Sequence, residues 1–217
     1  MANESGERVD CGSEMIRKTA ASKVFETARD LFYRRGIRAV GVDEIVYEAG
    51  VTKPSLYRAF KSKDHLVAAC LQESAKEGRE ATLAAVAAAG DDPQDRLRAL
   101  VGHFADKLQC PDFRGCLMSN VAIELSEPGH PGRVVAEDCK AELRALTIDL
   151  ARALRVAEPE LLADGIILVI EGAIATHHIS GSQGPAQSLT VTCDALIELH
   201  LKRRGARSAK SLAVQAS

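Results

Sequence analysis

The chain has 217 residues, 46% of them apolar, enough for a packed core in one large domain, or a small one plus a larger one, without disulfide staples. Its formal net charge is only -2, so a polyanionic partner would have to meet one part of the chain and not the whole. No apolar run approaches the ~20 residues that span a bilayer, and the polar, acidic start MANESGERVDCGSE is unlike a secretory leader, so a cytoplasmic protein is expected.

Helical periodicity dominates and no period-2 strand is recognisable, which predicts an all-α fold of about nine helices. Ile16, Ala20, Val24, Ala28, Leu31 and Phe32 predict a first helix over 14–35, ended by Gly36. Val42, Ile45, Val46 and Ala49 predict a short second helix, stopped by Gly50. Thr52 is placed to cap a third, with Pro54 in its first turn and Leu56 and Phe60 facing inward. Ser62 caps a long fourth helix that reaches about Ala89, where GDDP breaks it. Beyond lie a helix over 97–108, a loop at CPDFRG, an apolar helix over 116–125 and a turn-rich SEPGHPG. A helix over 133–155 follows, then one opening at Pro159, and a last one over 186–203. The expected domains are a tail at 1–13, a helix-turn-helix head at 14–63, a body for effector binding and dimerisation at 64–204, and a tail at 205–217. The six cysteines are scattered with no CxxC pair; thiols are expected, with no metal and no cofactor.

Charge is unevenly spread. Residues 17–63 hold eleven basic against five acidic side chains, a net of +6, which leaves -8 for the rest of the chain. A basic module on an acidic body points to nucleic acid as the module's partner. Two short helices joined by AGVT read as a helix-turn-helix: Ala49 lets the helices touch, Gly50 permits the turn and Val51 plugs the core. With Leu56 and Phe60 inside, Lys53, Ser55, Tyr57 and Arg58 must face outward. Tyr57, Lys63 and Thr52 are then placed for phosphates, and Lys53, Ser55 and Arg58 for base edges. The competing reading is a basic, solvated helix in an ordinary bundle.

The stretch ETARDLFYRRGIRAVGVDEIVYEAGVTKPSLYRAFKSKDHLVAACL resembles the head of the tetracycline-repressor (TetR) family of bacterial transcription regulators. Gly36, Ile45, Ala49, Gly50, Val51, Leu56, Tyr57, Phe60, Lys63 and Leu66 stand at the family's spacing. The resemblance implies base reading by Lys53, Pro54 and Ser55, phosphate binding by Tyr57 and Lys63, and a reader's position for Arg58. Two departures matter: Gly41 brings no hydroxyl where many members have Thr or Ser, and Ala59 replaces a frequent His or Tyr.

In the body, Ile166, Val169, Ile170 and Ala173, with Leu189, Cys193, Leu196, Ile197 and His200, form apolar stripes on the last two helices. They are either the chain's own core or a seam with a second copy. The resemblance implies the seam, a homodimer paired through a four-helix bundle that reads two half-sites about one DNA turn apart. It also implies a small-molecule effector in the middle of the body. Cys116, Asn120 and Glu124 share one face of their helix at i, i+4 and i+8, and Glu171 lies inside the most apolar run. With His103 and Phe104 they are the expected effector-binding residues, although either acid could be a structural, salt-bridged group. The pattern around Cys116 also resembles members that sense electrophiles or oxidants through a cysteine. The expected function is a one-component repressor that binds a palindromic duplex operator and is released by its effector; no enzyme and no membrane partner is expected. The rivals are a cysteine-dependent enzyme using Cys116 with His103 or Glu124, and a helical module for acidic protein partners.

Overall fold

The computed structural model describes residues 19–181 and 183–215, with side chains up to 203. Among them the regular elements are nine α-helices and one short 3-10 helix, with no strand, as the periodicity predicts. Helix α1 (Ala20–Arg35) begins where the Thr19 hydroxyl accepts from the Ser22 amide and ends at Gly36, whose φ of 84° few other residues adopt. Its buried stripe is Val24, Ala28, Leu31 and Phe32. Helices α2 (Val42–Glu48) and α3 (Lys53–Ala59) follow, joined through Gly50 at φ 62°. Thr52 stands at the N-cap of α3, but its hydroxyl lies 3.0 Å from Ser55 Oγ and makes no cap bond, contrary to expectation. Ser62 does cap α4 (Lys63–Ala88), accepting from the His65 amide.

Helix α5 (Pro93–Leu108) starts four residues before its expected start. Asp92 accepts from the Gln94 and Asp95 amides and Pro93 presets the first turn, so the second half of GDDP is a start signal as well as a break. Helix α6 (Leu117–Glu124) is short, α7 (Pro131–Ala153) is long, and α8 spans Pro159–Ser180. A 3-10 turn at Pro185–Ser188 precedes α9, whose backbone runs Leu189–Gln215, beyond the expected end at Arg203. The expected tail at 1–13 lies outside the described residues, as do the side chains of 205–217.

Two apolar clusters organise the chain. One joins α1, α2, α3 and the first turns of α4, and is completed from the body by Met118, Val121, Leu125 and Ala136. The other joins α5, the second half of α7, α8 and α9. Cys116 packs against both. At the seam between them α7 approaches α4 closely: a Cβ on Gly132 would lie 3.0 Å from both Leu125 and Val67 side chains.

Candidate nucleic-acid interface and effector cavity

Leu56 is fully buried while Thr52, Lys53, Pro54, Tyr57 and Arg58 are exposed, and Ser55 is half-buried. One turn of α3 thus anchors on its inner side and displays a cation-and-hydroxyl surface on the other. Tyr57 keeps 49% of its surface in solvent, an exposure that leaves its hydroxyl able to donate outward. Gly41 sits exposed at the N-cap of α2, with open space where a side chain would be. Lys53 Nζ lies 2.6 Å from Asp43 Oδ1, and the hydrogen bond to that carboxylate raises the lysine's pKa. A surface pair of this kind contributes little and opens easily. Tyr47, 85% exposed on α2, is a further head residue that apolar periodicity could not flag, because it lies off the buried stripe.

Lys63 behaves differently from expectation. It is half-buried, its Nζ donates to the Ile37 carbonyl at 2.6 Å, and it lies 5.9 Å from the Phe32 ring centroid. Burial lowers its pKa, partly offset by Asp64 and Glu124. The ammonium therefore fastens the turn between α1 and α2 as well as standing at the head's edge.

Glu124 grips the same turn from α6. Its Oε2 accepts from the Ile37 amide at 2.7 Å and the Arg38 amide at 3.0 Å. A Cβ on Gly36 would lie 2.7 Å from Glu124 Oε1, so the glycine is needed for close approach as well as for its φ. The other end of α6, capped by Cys116, opens on a cavity of about 800 Å3. An eight-residue helix, ~12 Å long by its rise, is all that separates the cavity wall from the carboxylate on the head.

The cavity is lined by α4, α5, α6, α7 and α8 and by the loop 110–115. Tyr33 of α1 reaches it too, and its hydroxyl accepts from the Arg114 amide at 2.9 Å, tying that loop to the head. Of the residues expected to meet an effector, Phe104 and Cys116 are on the wall. Glu171 stands one step behind, ion-paired with the wall residue Lys140 and accepting from Ser119 Oγ at 2.9 Å. Burial opposes the Lys140 charge, but Cys116 and Glu171 outweigh it and the pKa is raised. His103, Asn120 and Glu124 are not on the wall. Burial and Lys107 lower the His103 pKa, and exposed Asn120 donates to the Arg114 carbonyl at 3.5 Å. Lys107 and Lys140 are the wall residues that periodicity overlooked: each lies on a helix face whose burial depends on which other helix packs there.

The expected seam residues are placed differently. Ile166, Ile170, Ala173, Leu189, Cys193, Ile197 and His200 are buried within the single chain, and Val169 and Leu196 half-buried. An apolar helix has two faces, and the inner one is already filled by α5 and α7. The exposed large side chains of these helices are instead Leu161, Leu168 and Ile179 on α8, with Val191 and Leu199 on α9.

This is an all-α protein with an N-terminal helix-turn-helix, and the comparisons with known proteins agree. Residues 24–70 match the family described as bacterial regulatory proteins, tetR family. A structure of a regulator assigned to that class from Streptomyces avermitilis is 34% identical, covers 82% of this chain and 98% of its own, and superposes with a TM-score of 0.67. SCO4454, a TetR-family transcriptional regulator from Streptomyces coelicolor, is 25% identical, with coverages of 85% and 95% and a TM-score of 0.75. The HTH-type transcriptional repressor DhaR of Mycobacterium sp. (strain GP1) is 28% identical over 191 residues, 84% of this chain and 95% of DhaR. The chain belongs to the TetR family of transcriptional regulators. Among the described residues no helix is long and apolar enough to cross a membrane.

Proposed function

We propose that the chain is a one-component repressor that holds a palindromic operator as a homodimer and leaves it when a small molecule fills the cavity. The observation that carries this reading is the outward face of α3, with Lys53, Tyr57 and Arg58 exposed around a buried Leu56. Repression is supported by the likeness to DhaR, which is named a repressor. In this reading residues 14–63 are the DNA-binding head and 64–204 the body. Thr52, Tyr57 and Lys63 meet phosphates, with the backbone at Gly41, while Lys53, Pro54, Ser55 and Arg58 meet base edges. Helix α6 carries the signal: a ligand that favours one position of its Cys116 end also favours one seating of Glu124 on the head.

Substitutions on α3 test the division of labour. Tyr57→Phe should weaken binding to every duplex alike, by about the worth of one hydrogen bond to a charged group, ~1.5–3 kcal/mol. Lys53→Ala should instead flatten preference at particular positions, by ~1–3 kcal/mol per base. Binding measured across a panel of duplexes checks both. A sequence-dependent loss for Tyr57→Phe, or an unchanged preference for Lys53→Ala, contradicts the assignment.

One contact favours a second reading. Lys140 Nζ donates to Cys116 Sγ at 3.2 Å, and the thiol lies on the cavity wall. An activated alkene admitted there would add the thiol across its double bond, the sulfur bonding to one carbon and the thiol proton passing to the other. Under this reading Cys116→Ser retains DNA binding but loses release by N-ethylmaleimide; equal release from both proteins removes the cysteine from the mechanism.

A further inference from the structure

We propose that the cavity selects amphipathic anions, a carboxylate or similar acid on an apolar body, with the charge seated on Lys107. This rests on reading the cavity as an effector site. The other cationic groups of the wall have acidic partners: Lys140 pairs with Glu171, and Arg79 lies 3.9 Å from Glu142. Lys107 has none within ion-pairing distance among the described residues. Its half-buried ammonium, at the end of α5, has the Phe104 ring at 5.6 Å, and the neighbouring Cys116, Cys139 and Cys110 offset only part of the burial that lowers its pKa.

A partly desolvated cation without a counter-ion carries a burial cost that the Phe104 ring offsets only in part. Burial lowers the Lys107 pKa, and a carboxylate beside it would reverse that. A neutral ligand would deepen the burial and supply no charge. A cationic one would meet the unpaired charge of Lys107 and be repelled by it. The wall's carboxylates, Asp112, Glu142 and Asp149, are all exposed, Glu142 near Arg79 and Asp149 near Arg152, while its less exposed part, including Phe113, Met118, Leu143, Leu146 and Ile174, suits an apolar body. The volume of about 800 Å3 is within the ~300–1,000 Å3 typical of small-molecule sites.

Decanoate, decan-1-ol and decylammonium separate charge from chain length. Each is titrated calorimetrically, below its micellar range, into the full chain and into Lys107→Met, Lys107→Arg and the cavity-filling Leu143→Trp, with folding of each variant checked by thermal melts. The wild type should bind decanoate about tenfold or more tighter than the alcohol, the gain expected of a charge-assisted hydrogen bond, and decylammonium weakest. Lys107→Met should bring decanoate down to the alcohol's affinity, and Lys107→Arg should restore it. Should Leu143→Trp fail to fold, competition between decanoate and decan-1-ol on the wild type shows whether they share a site. Equal affinity for the three ligands with blockage by Leu143→Trp, or decanoate binding untouched in Lys107→Met, overturns anion selection and leaves the cavity as the effector site. Absence of binding by all three, or binding that Leu143→Trp and competition both place elsewhere, overturns the effector site and the anion proposal together.

Discussion

In the proposed homodimer, Leu168→Glu combined with Ile179→Glu should leave a monomer and reduce affinity for a two-half-site duplex by about a hundredfold or more. Leu168 and Ile179 are 73% and 83% exposed, and with Leu161 they follow one face of α8. Val191, at 71%, and Leu199 are exposed on α9, which packs against α8. The opposite faces hold Ile166, Ile170 and Ile174, and Cys193 and Ile197, all inside the chain's own core. Side chains this large and this exposed, on two adjacent helices, suit an isologous seam in which each contributes twice. Burying one leucine or isoleucine is worth ~1.5–3 kcal/mol, so losing two from each copy removes several such increments. The four carboxylates that replace them would repel one another across the two-fold axis. Light scattering on the eluting protein reads the mass, and duplex titration reads the affinity. A variant that stays dimeric places the seam elsewhere; a wild type that is monomeric removes it.

Glu124→Gln should separate ligand binding from DNA release. The carboxylate accepts from two backbone amides of the α1–α2 turn, at 2.7 and 3.0 Å, and lies near Lys63, which fastens the same turn through the Ile37 carbonyl. The amide keeps the shape but loses the charge that strengthens both bonds, each worth ~1.5–3 kcal/mol with a charged acceptor. A net loss of about 1–2 kcal/mol should lower the melting temperature by ~2–8 °C in a chain of this size. Half-buried Lys63, deprived of one of the two acids that support its charge, should titrate lower still. Because Glu124 is absent from the cavity wall, ligand affinity measured without DNA should stay within about twofold, a difference of ~0.4 kcal/mol. The concentration of ligand needed to release DNA should change by about tenfold, the size of a typical coupling energy. Unchanged melting with unchanged release would show that the contact carries no signal.

The head was legible because its fold is set locally. Gly36 and Gly50 adopt positive φ, Ser62 caps α4, and Leu56 is buried one residue from exposed Tyr57, all within one short stretch. The body was legible as helices but not as faces. The periodicity of α8 marks it as apolar on more than one side; only packing against α5 and α7 decides that Ile166 and Ile170 are interior and Leu168 is not. Cys116 stands at the N-cap of α6 with extended backbone and Glu124 is the helix's last residue, so the spacing that suggests one face carries the two to different surroundings, the cavity and the head. Nothing in the sequence singles out Lys107 and Lys140, since their burial comes from helices distant in sequence. Asp92 and Pro93 were the exception, a local signal hidden by the glycine and aspartate just before them.

Selection of bound sequences from a random duplex library at low ionic strength, followed by titration of the enriched duplex in rising salt, tests the outward role of α3 in a symmetric pair most directly. The expected product is an inverted repeat with half-site centres about one helical turn, ~10 bp, apart. Its affinity should fall roughly 10^3-fold or more between 50 and 200 mM salt if six or more phosphates are engaged. Enrichment of nothing, or of a sequence without two-fold symmetry, would contradict it.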